Sequence, residues 1–165
     1  VWSEILKSIK NSKLILKSSI PLQTINIKNQ FKKYGVLDSI IFSGSKPFKE
    51  HLNLYNSIDI CLDTFPYNGV TTSFEALWMG IPVLTMKGYN FNSRCGESIN
   101  KNLNLMSMIA DDENDYISKA KEFLDKEKLV NTRNIVFDNL LESPLFDGKK
   151  FSKEFLGSLE AIYNK

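Results

Sequence analysis

Thr71 and Thr72 stand just behind Gly69 and open a run, Ser73 to Gly80, with the periodicity of an amphipathic helix. Hydroxyls and backbone N–H groups at a helix start, beside a glycine that lets the backbone come close, suit a phosphorylated ligand and above all a diphosphate. The helix dipole adds roughly 0.3–1 kcal/mol toward an anion at an exposed helix start. Val70, between the glycine and the threonines, offers only its backbone, because its side chain cannot donate a hydrogen bond. The stretch containing these residues, Asp63 to Gly80, reads DTFPYNGVTTSFEALWMG, with turn chemistry at Pro66, Asn68 and Gly69. The same letters support a second reading. Thr72-Ser73-Phe74-Glu75 has the form of a capping box, with Thr72 as N-cap and Glu75 at the third helical position. The two readings coexist, since Glu75 can cap and still reach a hydroxyl of a ligand.

Other residues with chemistry are more isolated. His51 is the single histidine, at the start of a predicted helix two positions after Lys49. It is either a partly packed surface residue or a flat ring that stacks on a base. With one histidine and two separated cysteines, no metal-ligand cluster is predicted. The chain has no G-x-S-x-G elbow, no Walker loop and no G-x-G-x-x-G opening its first helix. Serine hydrolase chemistry, nucleoside triphosphate hydrolysis and nicotinamide binding therefore lack their usual signatures. Lys17 ends the first predicted strand and is either solvated or turned toward the ligand edge of a sheet. Arg94 starts a helix after the Gly88 loop, where it can bind an anion or tie two loops together.

These residues need elements to position them, and the chain alternates in a way that supplies them. Trp2–Ile9 reads as a helix, Lys13–Lys17 as a strand, and Ile27–Tyr34 as a helix stopped at Gly35. Ser39–Phe42 is the next strand, and Lys49–Asn56 a helix with Leu52 and Tyr55 inward. The strand Ile58–Leu62 leads into the loop, the helix Thr72–Met79 and the strand Pro82–Met86. Phe74, Leu77, Trp78 and Ile81, at i, i+3, i+4 and i+7, are the predicted core face of that helix. A helix starts near Ser93, and Leu105–Ala110 reads as a last strand. The alternation implies βαβ units, right-handed crossovers and a parallel sheet. From Asp111 the chain turns helical: Asp111–Asn114 caps a helix with favourable negative charge, and Leu129–Leu141 and Lys149–Tyr163 follow, separated by Ser143-Pro144. The expected fold is a single α/β, Rossmann-like lobe over residues 1–165, with a parallel sheet, helices on both faces and a C-terminal helical tail. Residues 1–110 form the βαβ core and 111–165 the tail.

Composition agrees with a domain that has a real core: 165 residues, 42% hydrophobic and 24% charged. The net charge of +2 is too small to argue for nucleic acid. The distribution is uneven, with 12 Lys and Arg against 7 Asp and Glu in residues 1–110, and 9 against 12 in residues 111–165. The part with the loop is thus mildly basic, which suits an anionic ligand. Cys61 sits in an apolar run as an expected buried thiol, and two scattered cysteines point to a reducing cytoplasm. The apolar run Ala76–Met86 is too short to span a membrane, and no signal peptide is visible. The chain begins at Val1 and not at a methionine, which implies a piece of a longer protein.

Asp59-x-Cys61-Leu62-Asp63-Thr64, continuing through Asn68-Gly69-Val70-Thr71-Thr72 to Leu77-Trp78-Met79-Gly80-Ile81-Pro82-Val83-Leu84-Thr85-Met86, resembles the O-GlcNAc transferase and SPINDLY-like glycosyltransferases. Lys46-Pro47-Phe48-Lys49-Glu50-His51, Ser93-Arg94 and Ser143-Pro144-Leu145-Phe146 extend the resemblance over nearly the whole chain. It implies the C-terminal, donor-binding lobe of a two-lobed GT-B fold. By this resemblance Thr71 and Thr72 hold the donor diphosphate, Gly69 and Val70 belong to the same nucleotide-sugar site through their backbone, and Glu75 binds the ribose hydroxyls. His51 stacks on the base, Lys46 and Phe48 line the base pocket, and Leu54 flanks it. The implied donor is a UDP-sugar, UDP-GlcNAc by preference, with a GDP-sugar such as GDP-fucose as alternative. The resemblance implies a protein acceptor modified on Ser or Thr, and an upstream catalytic lobe and tetratricopeptide repeats in the longer protein. No cofactor is expected beyond that donor, and charge, apolar run lengths and the lack of a ligand cluster set the expectation of no nucleic acid, membrane or metal partner. No general base is found in these residues, and the implied role of this lobe is electrostatic, on the departing diphosphate. The chain departs from the family's O-GlcNAc members, which often carry His at Val70, Lys at Phe48 and Asp at Glu75. Phe65-Pro66-Tyr67 is closer to the SPINDLY-like side. Another GT-B transferase, a nucleotide-sugar epimerase and a catalytically inactive binding module are the alternative functions.

Overall fold

A computed structural model describes residues 1–17 and 20–164. Helix α1 (Trp2–Ser8) leads to strand β1 (Leu14–Lys17), helix α2 (Pro21–Lys33) and strand β2 (Ile40–Ser43). Helix α3 (Phe48–Leu54) and a short 3-10 turn then lead to strand β3 (Cys61–Leu62). Helix α4 (Thr71–Trp78), strand β4 (Val83–Met86), helix α5 (Cys95–Asn102) and strand β5 (Ile109–Ala110) complete the alternation. Helices α6 (Glu113–Glu122), α7 (Lys126–Leu140) and α8 (Gly148–Tyr163) form the tail.

Among the described residues all strand pairs are parallel, as the alternation requires. Their ladders fall into two pieces, β1-β2 and β3-β4-β5. β1 runs beside β2 with Leu14 opposite Ile40 and Lys17 opposite Ser43. Cys61 lies opposite Val83, and Thr85 opposite Ile109. The division has a local cause: of the apolar run Ile58–Leu62 only Cys61 and Leu62 are strand, and their partners are on β4. β5 is also shorter than the predicted Leu105–Ala110, because Met106–Met108 winds into a 3-10 turn ahead of it. Helix α2 starts earlier than the predicted Ile27, at Pro21, whose fixed φ suits the first turn.

The main core gathers Leu77, Leu84, Leu103, Leu105, Met108, Tyr116 and Val136 from α4, β4, the α5–β5 connection, α6 and α7. A smaller cluster of Leu6, Phe31 and Val36 packs with Leu14, Leu16 and Ile40 under the β1-β2 pair. Helix α4 and the residues after it keep Leu77 and Ile81 of the predicted face buried and Phe74 packed against the core, and depart from it at Trp78. The buried residues of the helix are Ser73, Ala76 and Leu77, while Trp78 is 57% exposed. Small Ser73 and Ala76 let the helix approach closely, and Trp78 is left outside against Phe146, with ring centroids 5.7 Å apart. Because the strands share one direction, the segments leaving β2, β3 and β4 all emerge at one edge. That edge carries residues 44–54, 63–72 and 87–95. Among the described residues no helix is long and apolar enough to cross a membrane.

Candidate functional site

Asp63 leaves β3 as a buried residue, and its carboxylate organises the loop that follows. Oδ1 accepts the Thr64 amide at 2.9 Å and the Gly69 amide at 2.8 Å. Oδ2 accepts the Thr85 hydroxyl at 2.8 Å, which fastens the loop to β4. Burial pushes the Asp63 carboxyl above its ordinary range, and the three donors pull the other way. Asn68, fully buried, donates to the Thr64 carbonyl at 2.8 Å and accepts the Gly96 amide at 3.2 Å. Its own amide donates to the Asn92 carbonyl at 3.1 Å, joining this loop to the one that leaves β4.

The loop delivers the start of α4. Thr71 and Thr72 are its first residues and both are exposed. The first intrahelical bond runs from the Phe74 amide to the Val70 carbonyl at 3.0 Å, so the amides ahead of it have no carbonyl within the helix. Val70 is the N-cap, and it makes no side-chain capping hydrogen bond. The capping box is therefore not formed. The helix begins one residue earlier than predicted, Thr72 is its second residue, and Glu75 lies one turn in. The hydroxyl that does bond locally is Ser73 Oγ, which donates to the Gly69 carbonyl at 2.7 Å. Gly69 is needed for space: a Cβ there would stand 2.5 Å from Thr72 Oγ1.

Glu75 turns instead toward α3. Its Oε2 lies 2.9 Å from His51 Nε2, and both side chains are largely covered. The His51 ring meets Tyr55 edge-on, with centroids 5.5 Å apart, while its Nδ1 is buried with no partner among the described residues. Tyr55 is buried beneath the pair, and burial together with the nearby Cys61 and Glu75 raises its phenol well above the ordinary range. The structure thus joins His51 to Glu75 and Gly69 to Thr72. Lys46 and Phe48 lie exposed at the approach to α3, Phe48 at 69%, and Leu54 is half-buried at the far end of that helix. Lys17 is exposed at the end of β1. Arg94 Nε donates to Glu97 at 3.0 Å within α5, so the bond ties no second loop.

A cavity of about 740 Å³ separates the two sheet pieces, lined by Ile15 and Leu16 of β1, by Cys61 and Leu62 of β3, and by Asp63, Gly69 and Thr72 at its loop side. Cys61 is half-buried, and burial pushes its thiol up to about 12. Among the described residues no group of three or more His, Cys, Asp and Glu could hold a metal ion. Sequence reasoning missed Asp63, Asn68, Thr85, Gly96 and Tyr55 as parts of this site. Asp63 and Asn68 carried a signal as turn formers after a strand; Thr85 and Gly96 carried none.

Comparison with known proteins adds independent findings. The model of glycosyl transferase family 41 matches residues 1–155. A probable UDP-N-acetylglucosamine–peptide N-acetylglucosaminyltransferase SPINDLY of Solanum lycopersicum is 32% identical over 174 residues, covering 99% of this chain and 18% of that protein. A UDP-N-acetylglucosamine–peptide N-acetylglucosaminyltransferase of Caenorhabditis elegans is 32% identical over 171 residues, covering 100% of this chain and 14% of that protein. Among solved structures, a mutant O-GlcNAc transferase of Thermobaculum terrenum superposes with a TM-score of 0.85 at 29% identity, over 98% of this chain and 31% of that one. The chain spans less than a fifth of the length of these two curated relatives.

Proposed function

The chain belongs to glycosyl transferase family 41, and from that premise we propose that it is the donor-binding lobe of a glycosyltransferase that moves a sugar from a nucleotide diphosphate onto Ser or Thr of proteins. In this reading residues 1–165 act as one lobe, and the longer protein supplies a second catalytic lobe and tetratricopeptide repeats that present the acceptor. Its place of action is the cytoplasm. The observation that carries the reading is the convergence of two features at one sheet edge: the open start of α4 with Thr71 and Thr72, and the His51–Glu75 pair one turn along it.

The chemistry follows from these groups. Glycosyl transfer leaves negative charge on the departing diphosphate. In this reading the amides at the start of α4 and the hydroxyls of Thr71 and Thr72 donate to that charge, and the helix dipole acts in the same sense. Glu75 accepts hydrogen bonds from ribose hydroxyls. His51, held by Glu75, offers its ring to the base, with Lys46, Phe48 and Leu54 around it. Gly69 and Val70 contribute backbone alone. No residue of this lobe is assigned as general base, and no cofactor besides the donor is assigned.

UDP-GlcNAc is the favoured donor, in line with the names of the relatives. Fucosyl transfer from GDP-fucose is the second reading, favoured by Phe65-Pro66-Tyr67 and by Glu75. Calorimetry of the full-length protein with UDP and with GDP tests both. Binding of one nucleotide, weakened by Thr72→Ala and by His51→Ala, is the expected result. A folded protein that binds neither would overturn the reading.

A further inference from the structure

We infer that Asp63 is a positioning residue for the diphosphate-binding turn, acting through the 64–70 loop and not on the ligand. The inference rests on the donor-binding reading above. Two amides five residues apart, those of Thr64 and Gly69, meet on one oxygen of Asp63. That oxygen pinches the loop shut, so its exit at Gly69 points directly into α4. The second oxygen is held by Thr85 on β4, and the Asp63 carbonyl accepts the Tyr116 hydroxyl at 2.9 Å from α6. The carboxylate is thereby fixed to the sheet on one side and to the loop on the other.

The spacing passes this fixation on to the candidate ligand groups. Ser73 Oγ donates to the Gly69 carbonyl at 2.7 Å, with Thr72 on the chain between them and its Oγ1 against Gly69, so the start of α4 follows the position of Gly69. Gly69 follows Asp63. Behind the carboxylate, a Cβ on Gly96 would lie 2.6 Å from Asp63 Oδ2 and would also strike the Thr85 side chain. Asp63 therefore has donors in front and α5 at its back, and a disturbance on either side moves the loop. Gly96 lies outside the set of candidate ligand contacts, yet the packing couples it to Thr72 through Thr85, Asp63 and Gly69.

The test compares wild type with Asp63→Asn, Asp63→Ala and Gly96→Ala in the full-length protein, by calorimetry with UDP and GDP and by amide hydrogen exchange. Asparagine keeps one oxygen for both amides, and the Thr85 hydroxyl can turn to accept from its amide group, so affinity is expected to stay within about threefold of wild type. Asp63→Ala and Gly96→Ala are expected to lower affinity by about tenfold or more, with faster exchange concentrated in residues 64–72. Folded Asp63→Ala with wild-type affinity overturns the inference, and so does faster exchange spread evenly over the chain. If the alanine variant fails to fold, Gly96→Ala decides by the same two readouts. Wild type that binds neither nucleotide overturns the donor-binding reading itself, and exchange over residues 64–72 then decides the tether alone.

Discussion

His51 and Glu75, 24 residues apart in the chain, are partners: Nε2 of the one lies 2.9 Å from Oε2 of the other. α3 follows β2 and α4 follows β3, so the bond links the two helices at the sheet edge. Nε2 is the ring nitrogen that faces the carboxylate, and Nδ1 lies on the other side of the ring. That Nδ1 is buried and has no partner among the described residues. A donor nucleotide would meet a histidine and a glutamate already holding each other in place.

Such a pair acts as a unit. His51→Ala and Glu75→Ala should each weaken nucleotide binding, and the double variant should lose less than the sum. The expected coupling is about 0.5–3 kcal/mol, the usual span for residues in direct contact. Calorimetry on the four proteins of the cycle measures it, and strict additivity would contradict it.

Thr72→Ala separates ligand binding from helix capping. A true N-cap threonine costs about 1 kcal/mol when removed. Thr72 is the second helical residue and makes no capping bond. Thermal stability should therefore hold close to wild type, while nucleotide binding weakens by about 0.5–1.5 kcal/mol, one hydroxyl's hydrogen bond. A fall in melting temperature with unchanged binding would restore the capping role.

Gly69→Ala should impair binding by displacement. The added methyl would contact Thr72 Oγ1 at 2.5 Å and Asp63 Oδ1 at 3.4 Å. The threonine rotates or the loop shifts, and either outcome moves a hydroxyl proposed to meet the diphosphate. Weaker UDP or GDP binding with a preserved circular dichroism spectrum is the expected result, read by titration at constant ionic strength.

Asp63 sets a pH dependence of stability whose sign follows from its burial. Its folded-state carboxyl is raised from the ordinary 3.8, chiefly by desolvation. The stability associated with the protonated form is complete below the unfolded value and is lost as pH rises toward the folded one. Relative to Asp63→Asn, which does not titrate, the wild type should lose stability as pH rises from about 4. Urea denaturation of both proteins between pH 4 and 7 gives the difference, and a flat or rising difference would refute the assignment.

Cys61 should resist alkylation in the folded protein. Its thiol is pushed up to about 12 by burial, with Asp63 adding to the effect, so little thiolate forms at pH 8. Iodoacetamide labelling followed by peptide mass spectrometry should leave it unmodified until the protein is denatured.

The order of elements, the parallel α/β class and the family were legible in the amino-acid sequence. Each rests on local signals: periodicity, Gly35 and Gly69, and the block from Asp59 to Met86. Hydrophobic spacing was less informative on α4, where it put Trp78 inside. Only the packed structure shows that Ser73 and Ala76 form the close face, because a small side chain carries no hydrophobic signal yet decides how near a helix can come. The capping box failed for a related reason. Glu75 has two places to bond, its own helix start or His51, and the neighbouring helix α3 decides between them. The loop scaffold was beyond reach as well: Asp63, Thr85 and Gly96 lie on β3, β4 and α5, and nothing local to any of them names the others. Chain order specifies which elements form, through short-range propensity. Which side chains meet at the sheet edge is set by the crossovers that bring distant strand ends together, and that is a property of the tertiary fold.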